Sequence, residues 1–228
     1  MPSDLSIVML SLRVAVVAML IALPAGFGIA WVLVRKQVRG RFLIEAVVSL
    51  PLALPPVVVG YGLLIVLGGR GPFGDLFGDG LAFTTFAASL ASSIVALPLI
   101  VRTFVVALDG VDPRLELAAR SLGAGPLRVL LTVTVPLAYR GLLAGALIGF
   151  VRALSEFGAT IVVAGNIPGR TQTLPLGIFT RIQAGDDYAA VRLILVSIGL
   201  AVATLVLHDY LLRRGGLSGR RQRAGFGA

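Results

Sequence analysis

The chain has 228 residues, 57% of them hydrophobic and only 14% charged, with a mean hydropathy of +0.97 and a formal net charge of +9. A soluble domain of this length does not carry so much apolar surface, and the lack of cysteine excludes a disulfide or thiolate-metal framework. The positive balance reads as a topological signal and an attraction to anionic lipid. It is not read as a nucleic-acid footprint, because no aromatic residue interleaves the arginines that follow Leu212.

A membrane span needs about 20 mainly apolar residues to cross roughly 30 Å of hydrocarbon. Five runs qualify, at about 7–34, 42–67, 81–108, 137–164 and 191–212. Backbone groups inside lipid must be paired within the segment, so all five are predicted helices and the expected fold is all-α integral membrane. The first run has Asp4 and no early Lys or Arg, and it is too long for a cleaved signal, so it is expected to be retained. Arg13 near its outer end can snorkel to the headgroups. The second run contains Pro51, Pro55 and Pro56, with Gly60 and Gly62 beyond, which predicts a kink or break near Pro55. That bend is either a packing kink or the lining of a path. The stretch 68–80 reads as a flexible glycine loop, in preference to a cation site at Asp75 and Asp79.

Between the third and fourth runs lies a short charged segment, residues 112–136. Asp112 can cap a helix, and Pro113 suits its first position. Leu115, Ala118, Ala119 and Leu122 fall on one face. Gly123 can take the left-handed conformation that ends a helix, and Gly125-Pro126 enforces the stop. A polar helix bounded by spans must sit in water at the membrane face, where a soluble partner can touch it.

Arg152 and Glu156 lie four residues apart on the fourth run, share a face and can pair. Each would cost about 2.5 to 3.5 kcal/mol at the bilayer centre, so the pair is informative. Two readings stand: an ion pair that fixes packing within or between subunits, or a path or gate in which Arg152 presents positive potential to a passing anion. Residues 165–184 then mix polar residues, two prolines and the apolar cluster from Leu174 to Phe179. This suits docking of an outside partner, or a short helix dipping back into the membrane. Asp186 and Asp187 read as a solvated acidic pair.

Twelve Lys and Arg residues fall in the stretches 35–41, 114–128 and 213–223, against four, Arg70, Arg170, Arg181 and Arg192, in the alternate ones. Basic residues accumulate on the cytoplasmic side, so the amino terminus is expected outside, with the 112–136 segment and the carboxyl terminus inside. Catalysis has little support. There is no phosphate-binding glycine loop ending in Gly-Lys-Ser/Thr, and the single histidine, His208, precludes histidine-pair chemistry.

The 112–136 segment resembles the EAA loop of ABC importer permeases, on Glu116, Ala118, Ala119, Gly123 and Pro136. Leu117 separates Glu116 from the two alanines, so the family's Glu-Ala-Ala triplet is not met as such. The stretch from Ala153 to Pro175 is similar to the molybdate branch of these permeases, with sulfate permeases as close relatives. The resemblance implies a type I ABC importer permease fold in an inner or plasma membrane, with the loop as a coupling helix in which Glu116, Leu117, Ala118, Ala119, Gly123 and Pro136 serve an ATPase subunit. It also implies a homodimer, two cytoplasmic ATP-binding subunits that use the ATP, no cofactor on this chain, and an outside oxyanion-binding protein. Tungstate or sulfate permeases, a stand-alone secondary transporter and a non-transporting scaffold are the alternatives. An odd number of spans argues against the inverted halves of secondary transporters.

Overall fold

A computed structural model of the chain describes residues 3–36, 39–69, 71–72 and 80–214. Arg70, Asp75, Asp79 and the arginines beyond residue 214 lie outside the described residues. Apart from one isolated bridge between Gly68 and Gly80, the described residues form only helices, turns and loops.

Helix α1 (Asp4–Arg35) is started by Ser3, whose hydroxyl accepts the Ser6 N–H. Helix α4 (Thr85–Asp109) is capped in the same way by Thr84, which accepts the Ala87 N–H. The two run side by side in one direction. Val14 and Ala91 share a buried cluster, Gly26 meets Ile100, and Arg35 reaches the Leu108 carbonyl. Alanines at 15, 18, 22, 30 and 96 let the backbones approach, which replaces the hydrophobic drive that lipid does not supply.

Helix α7 (Val135–Leu154) packs on α4 through Gly141, Gly145 and Gly149, one turn apart. A Cβ at these positions would lie 2.3 Å from Ala107, 2.8 Å from Phe104 and 2.5 Å from Ile100. The small-residue stripe therefore sets the distance between the two helices.

The second apolar run is broken. Helices α2 (Arg41–Ala53) and α3 (Pro56–Leu67) meet at Leu54–Pro55 with a bend of 108°. The expected break at Pro55 is present, far sharper than a kink. The pair still leads from one end of the bundle to the other. It starts just after Arg35, and it ends at Leu67, whose carbonyl accepts the Leu81 N–H, beside Val163, whose carbonyl accepts the Phe83 N–H.

The fourth run also differs from a single helix over 137–164. Helix α6 (Pro126–Val129), a wide π turn over Leu130–Thr134 and α7 form one continuous rod of 29 residues, Pro126–Leu154. The π turn ends two residues before Pro136, whose ring crowds the preceding turn and has no N–H to offer it. Half of the 112–136 segment is thus the base of a span. The rod ends at Leu154, and α8 (Gly158–Val163) continues after the break at 155–157.

Helix α9 (Leu174–Gln183) follows, then α10 (Asp187–Arg214). Four helical segments are long and apolar enough to cross a membrane, and the bent α2–α3 pair makes five. Arg35, Leu108, Val111 and Glu116 gather at one end of the bundle. At the other end Asp4 pairs with Arg181 and Arg192, and Thr85 donates to the Arg170 carbonyl.

Candidate functional site

Helix α5 (Pro113–Ser121) stands on the end of the bundle marked by Arg35. Its limits follow its sequence. The Asp112 carboxylate accepts the Arg114 N–H at 2.9 Å, Pro113 occupies the first turn, and Gly123 ends it with φ of +85°. Leu115, Leu117, Leu122 and Leu127 are exposed, and Leu122 retains 89% of its surface. Ala118 is exposed and Ala119 half-buried. Exposed Arg114, Arg120 and Arg128 surround this apolar knob. The face predicted from spacing is therefore open.

Glu116 behaves differently from the other residues expected to serve a partner. It is 5% exposed and points into the protein. One carboxylate oxygen accepts from Arg35 Nη2 at 2.8 Å and from the Thr134 hydroxyl at 2.7 Å. The same Arg35 nitrogen donates to the Leu108 and Val111 carbonyls. One buried carboxylate therefore joins α5, the end of α1, the end of α4 and the π turn beneath α7. The outward position next to the alanines is taken by Leu117, 60% exposed. The departure from the Glu-Ala-Ala triplet thus has a geometric counterpart: the acid has moved one residue earlier and turned inward. Pro136 is also not part of the knob, since it lies in the second turn-position of α7.

A second constellation lies where two helices break. Arg152 Nη1 and Glu156 Oε2 pair at 2.9 Å, as the spacing predicted. Glu156 is buried and does a further task. Its Oε1 accepts the Ala159 N–H at 2.8 Å, so it caps α8. Arg152 keeps 27% of its side-chain surface. The α2–α3 break packs on this one: Gly60 lies against the Ala159 backbone, where a Cβ would approach the carbonyl oxygen to 2.5 Å, and Gly158 meets Pro56. Two interrupted helices thus interlock beside an ion pair.

At the far end, Asn166, Gln172 and Thr180 hydrogen-bond one another, and Ser11 accepts the Leu174 N–H. Leu174 and Leu176 are fully buried and Gly177 packs on Ile7 and Leu193, so the apolar cluster of the 165–184 stretch is core, carried on a short helix. An open cavity of about 560 Å³ remains, lined by Pro168, Gly169, Gln172 and Arg181 among others. Asp186 is not merely solvated, because its carboxylate accepts the Ala189 N–H at the start of α10. No group of three or more His, Cys, Asp or Glu residues suited to a metal ion occurs among the described residues.

Residues 9–215 match the family described as binding-protein-dependent transport system inner membrane component. The chain belongs to that family. It is 47% identical over 211 residues to the molybdenum transport system permease protein ModB of Escherichia coli K12, covering 90% of this chain and 92% of the relative. The corresponding protein of Haemophilus influenzae is 44% identical over 92% of this chain and 94% of its own length. A sulfate transport system permease protein, CysW of Synechocystis, is 37% identical over 90% of this chain and 77% of its own. In fold the chain resembles the MetNI methionine ABC transporter in inward-facing conformation, with a TM-score of 0.70 at 18% identity over 90% of this chain and 93% of that one. A bacterial ABC transporter of alginate gives 0.71 at 16% identity over 94% and 80%. The permease is accordingly a multi-pass membrane protein of the importer fold.

Proposed function

We propose that this permease is the membrane-spanning subunit of an ATP-driven importer that carries molybdate, or a close tetrahedral oxyanion, into the cytoplasm. Identity of 47% and 44% to two molybdenum permeases over nine-tenths of the chain supports the substrate class. The observation that carries the mechanism is the knob on α5: apolar outside, and tied from inside by Glu116 to three other elements. Arg35 and the arginines of the 114–128 stretch lie at the same end as α5, and this excess of basic residues supports a cytoplasmic knob and an external amino terminus.

The knob seats on an ATP-binding subunit. Two copies of the permease pair about a two-fold axis, so two such subunits lie inside and an oxyanion-binding protein docks outside. ATP binding draws the two knobs together, and hydrolysis releases them. Because Glu116 fixes α5 to α1 and α4, a displacement of the knob moves those helices and does not merely bend a loop. Coupling of this kind needs contacts that differ between the two states. Ala118, Ala119 and Gly123 let the partner approach closely, Leu117 supplies apolar contact, and Pro136 keeps the wide turn under α7 in place. The Arg152–Glu156 pair sits where both interrupted helices can reorient, and Arg152 offers positive potential to the anion there.

The test is ATP-dependent uptake of radiolabelled molybdate by proteoliposomes holding the permease, its ATP-binding subunits and its binding protein, with tungstate and sulfate as competitors. Uptake blocked by tungstate and indifferent to sulfate is the expected outcome. Preference for sulfate would place the permease with the CysW-like proteins, and uptake without the ATP-binding subunits would overturn the assignment.

A further inference from the structure

Transport as described leaves Arg102 without a role. Arg102 is the only charged residue between Thr85 and Leu108 of α4, and its side chain is exposed. It lies seven residues before the end of α4, about 10 Å of helix into the span. Among the described residues it takes part in no ion pair. Its guanidinium instead donates to the Ser49 hydroxyl at 3.3 Å, and Ser49 lies eight residues into α2. The side chain is thus held across to α2 and does not run along α4 toward the headgroups. An unpaired guanidinium at that depth faces a water-filled path or a partner, since lipid does not solvate it.

The place it faces is a groove of about 290 Å³ between α2 and α4, lined by Leu33, Glu45, Ser49, Arg102, Val105 and Val106. Glu45 would repel an anion, but it is already engaged by Arg41 at 2.7 Å. Among the described residues Arg102 itself has no carboxylate within ion-pair distance. The groove offers planar N–H donors and a hydroxyl, the donor set suited to a tetrahedral oxyanion, and the oxyanion is small enough to enter.

We infer that the α2–α4 groove at Arg102 and Ser49 is a transient oxyanion station on the inner half of the transport path. This rests on the proposed oxyanion import and adds a site to it. Arg102 stands beside α2, and Arg152 stands by the break packed on Pro56 of α3, so the bent pair runs past both arginines. Two weak positive stations let a dianion step inward without being trapped, because a path must bind well enough to admit and loosely enough to release.

The experiment uses the complete complex in proteoliposomes with molybdate as probe. Arg102→Gln is expected to lower uptake about tenfold, the loss of roughly one charge-assisted hydrogen bond, while complex assembly and binding-protein-stimulated ATP hydrolysis persist. Arg102→Lys is expected to keep most of the uptake. The chain has no native cysteine, so Ser49→Cys provides its only thiol, read as labelling of the permease band. It is expected to react with an anionic, water-soluble thiosulfonate and to be protected by molybdate. Wild-type uptake in Arg102→Gln, failure of that variant to assemble where Arg102→Lys assembles, or a Ser49→Cys thiol closed to the reagent would each overturn the station. If the wild-type complex carries neither molybdate, tungstate nor sulfate, the proposed function itself fails. If it transports and the Arg102 and Ser49 variants behave as controls, only the station fails.

Discussion

The buried carboxylate under α5 gives the sharpest test of how the knob is held. Glu116 accepts two hydrogen bonds on one oxygen, at 2.8 and 2.7 Å, and its side chain is 7% exposed against 15% for Arg35. Removing one partner of a fully buried ion pair costs about 3–5 kcal/mol. Arg35 keeps two carbonyl acceptors and some solvent, so Glu116→Ala should lie below that range, at about 2–3 kcal/mol. Glu116→Gln keeps both acceptor contacts and loses only the charge, which predicts about 1 kcal/mol. Arg35→Met should match Glu116→Ala, because it strands the carboxylate with Thr134 alone. For a domain of this size, 2–3 kcal/mol corresponds to roughly 4–12 °C in melting temperature.

The decisive measurement is the double variant. If the two side chains act as one unit, Arg35→Met with Glu116→Ala should cost about the same as either alone, leaving a coupling energy of about 2 kcal/mol. Melting of the assembled complex in detergent gives the stability arm of this cycle. The molybdate carried per ATP hydrolysed gives the functional arm, and in Glu116→Ala that ratio should drop while hydrolysis continues. Strictly additive stability losses, together with an unchanged transport ratio, would refute a mechanical tie between α5 and the spans.

Further outcomes follow from other contacts. Gly149→Leu should prevent α7 from seating on Ile100, with at least the 1–3 kcal/mol typical of overpacking, and size-exclusion profiles should show loss of the folded protein. Gly123→Val meets open space but needs φ of +85°, so the cost is conformational, about 1–2 kcal/mol. It should insert normally while ATP hydrolysis loses its link to uptake, and a normally coupled rate would count against the knob. Leu122→Asp leaves the fold untouched, given 89% exposure, but should abolish co-purification with the ATP-binding subunits.

Most of the bundle could be read from the sequence, because four of the spans are long apolar runs whose ends carry charge. The α5 knob was equally readable, since Asp112, Pro113 and Gly123 act through their own backbone. What escaped depends on partners far along the chain. Nothing near Glu116 announces Arg35, 81 residues earlier, as the group that turns it inward. The break at Ser155–Phe157 has no proline or glycine at its start and is made by the Glu156 side chain capping α8. The stripe Gly141, Gly145, Gly149 was visible as small residues every fourth position, a signal of close helix packing, but not of α4 as the partner. Arg102 was visible too, as a lone charge in an apolar run, but its meaning needs Ser49 from the bent pair.

These contacts divide the protein into two mechanical parts. Alanines join α1 to α4, glycines join α7 to α4, and Arg35 with Glu116 joins α5 to both, so these four helices move together. The α2–α3 pair is different. Helix α2 has no buried residue, and α3 is held mainly by Gly60 and Pro56 against α8. Packed elements shift as bodies and not by continuous deformation. A pull on the knob therefore moves the four-helix body as one, and the give appears where backbone hydrogen bonding is already interrupted, at Leu54–Pro55 and Ser155–Phe157. Placing the Arg152–Glu156 pair at that junction puts those charges where a motion started at the α5 knob would be taken up.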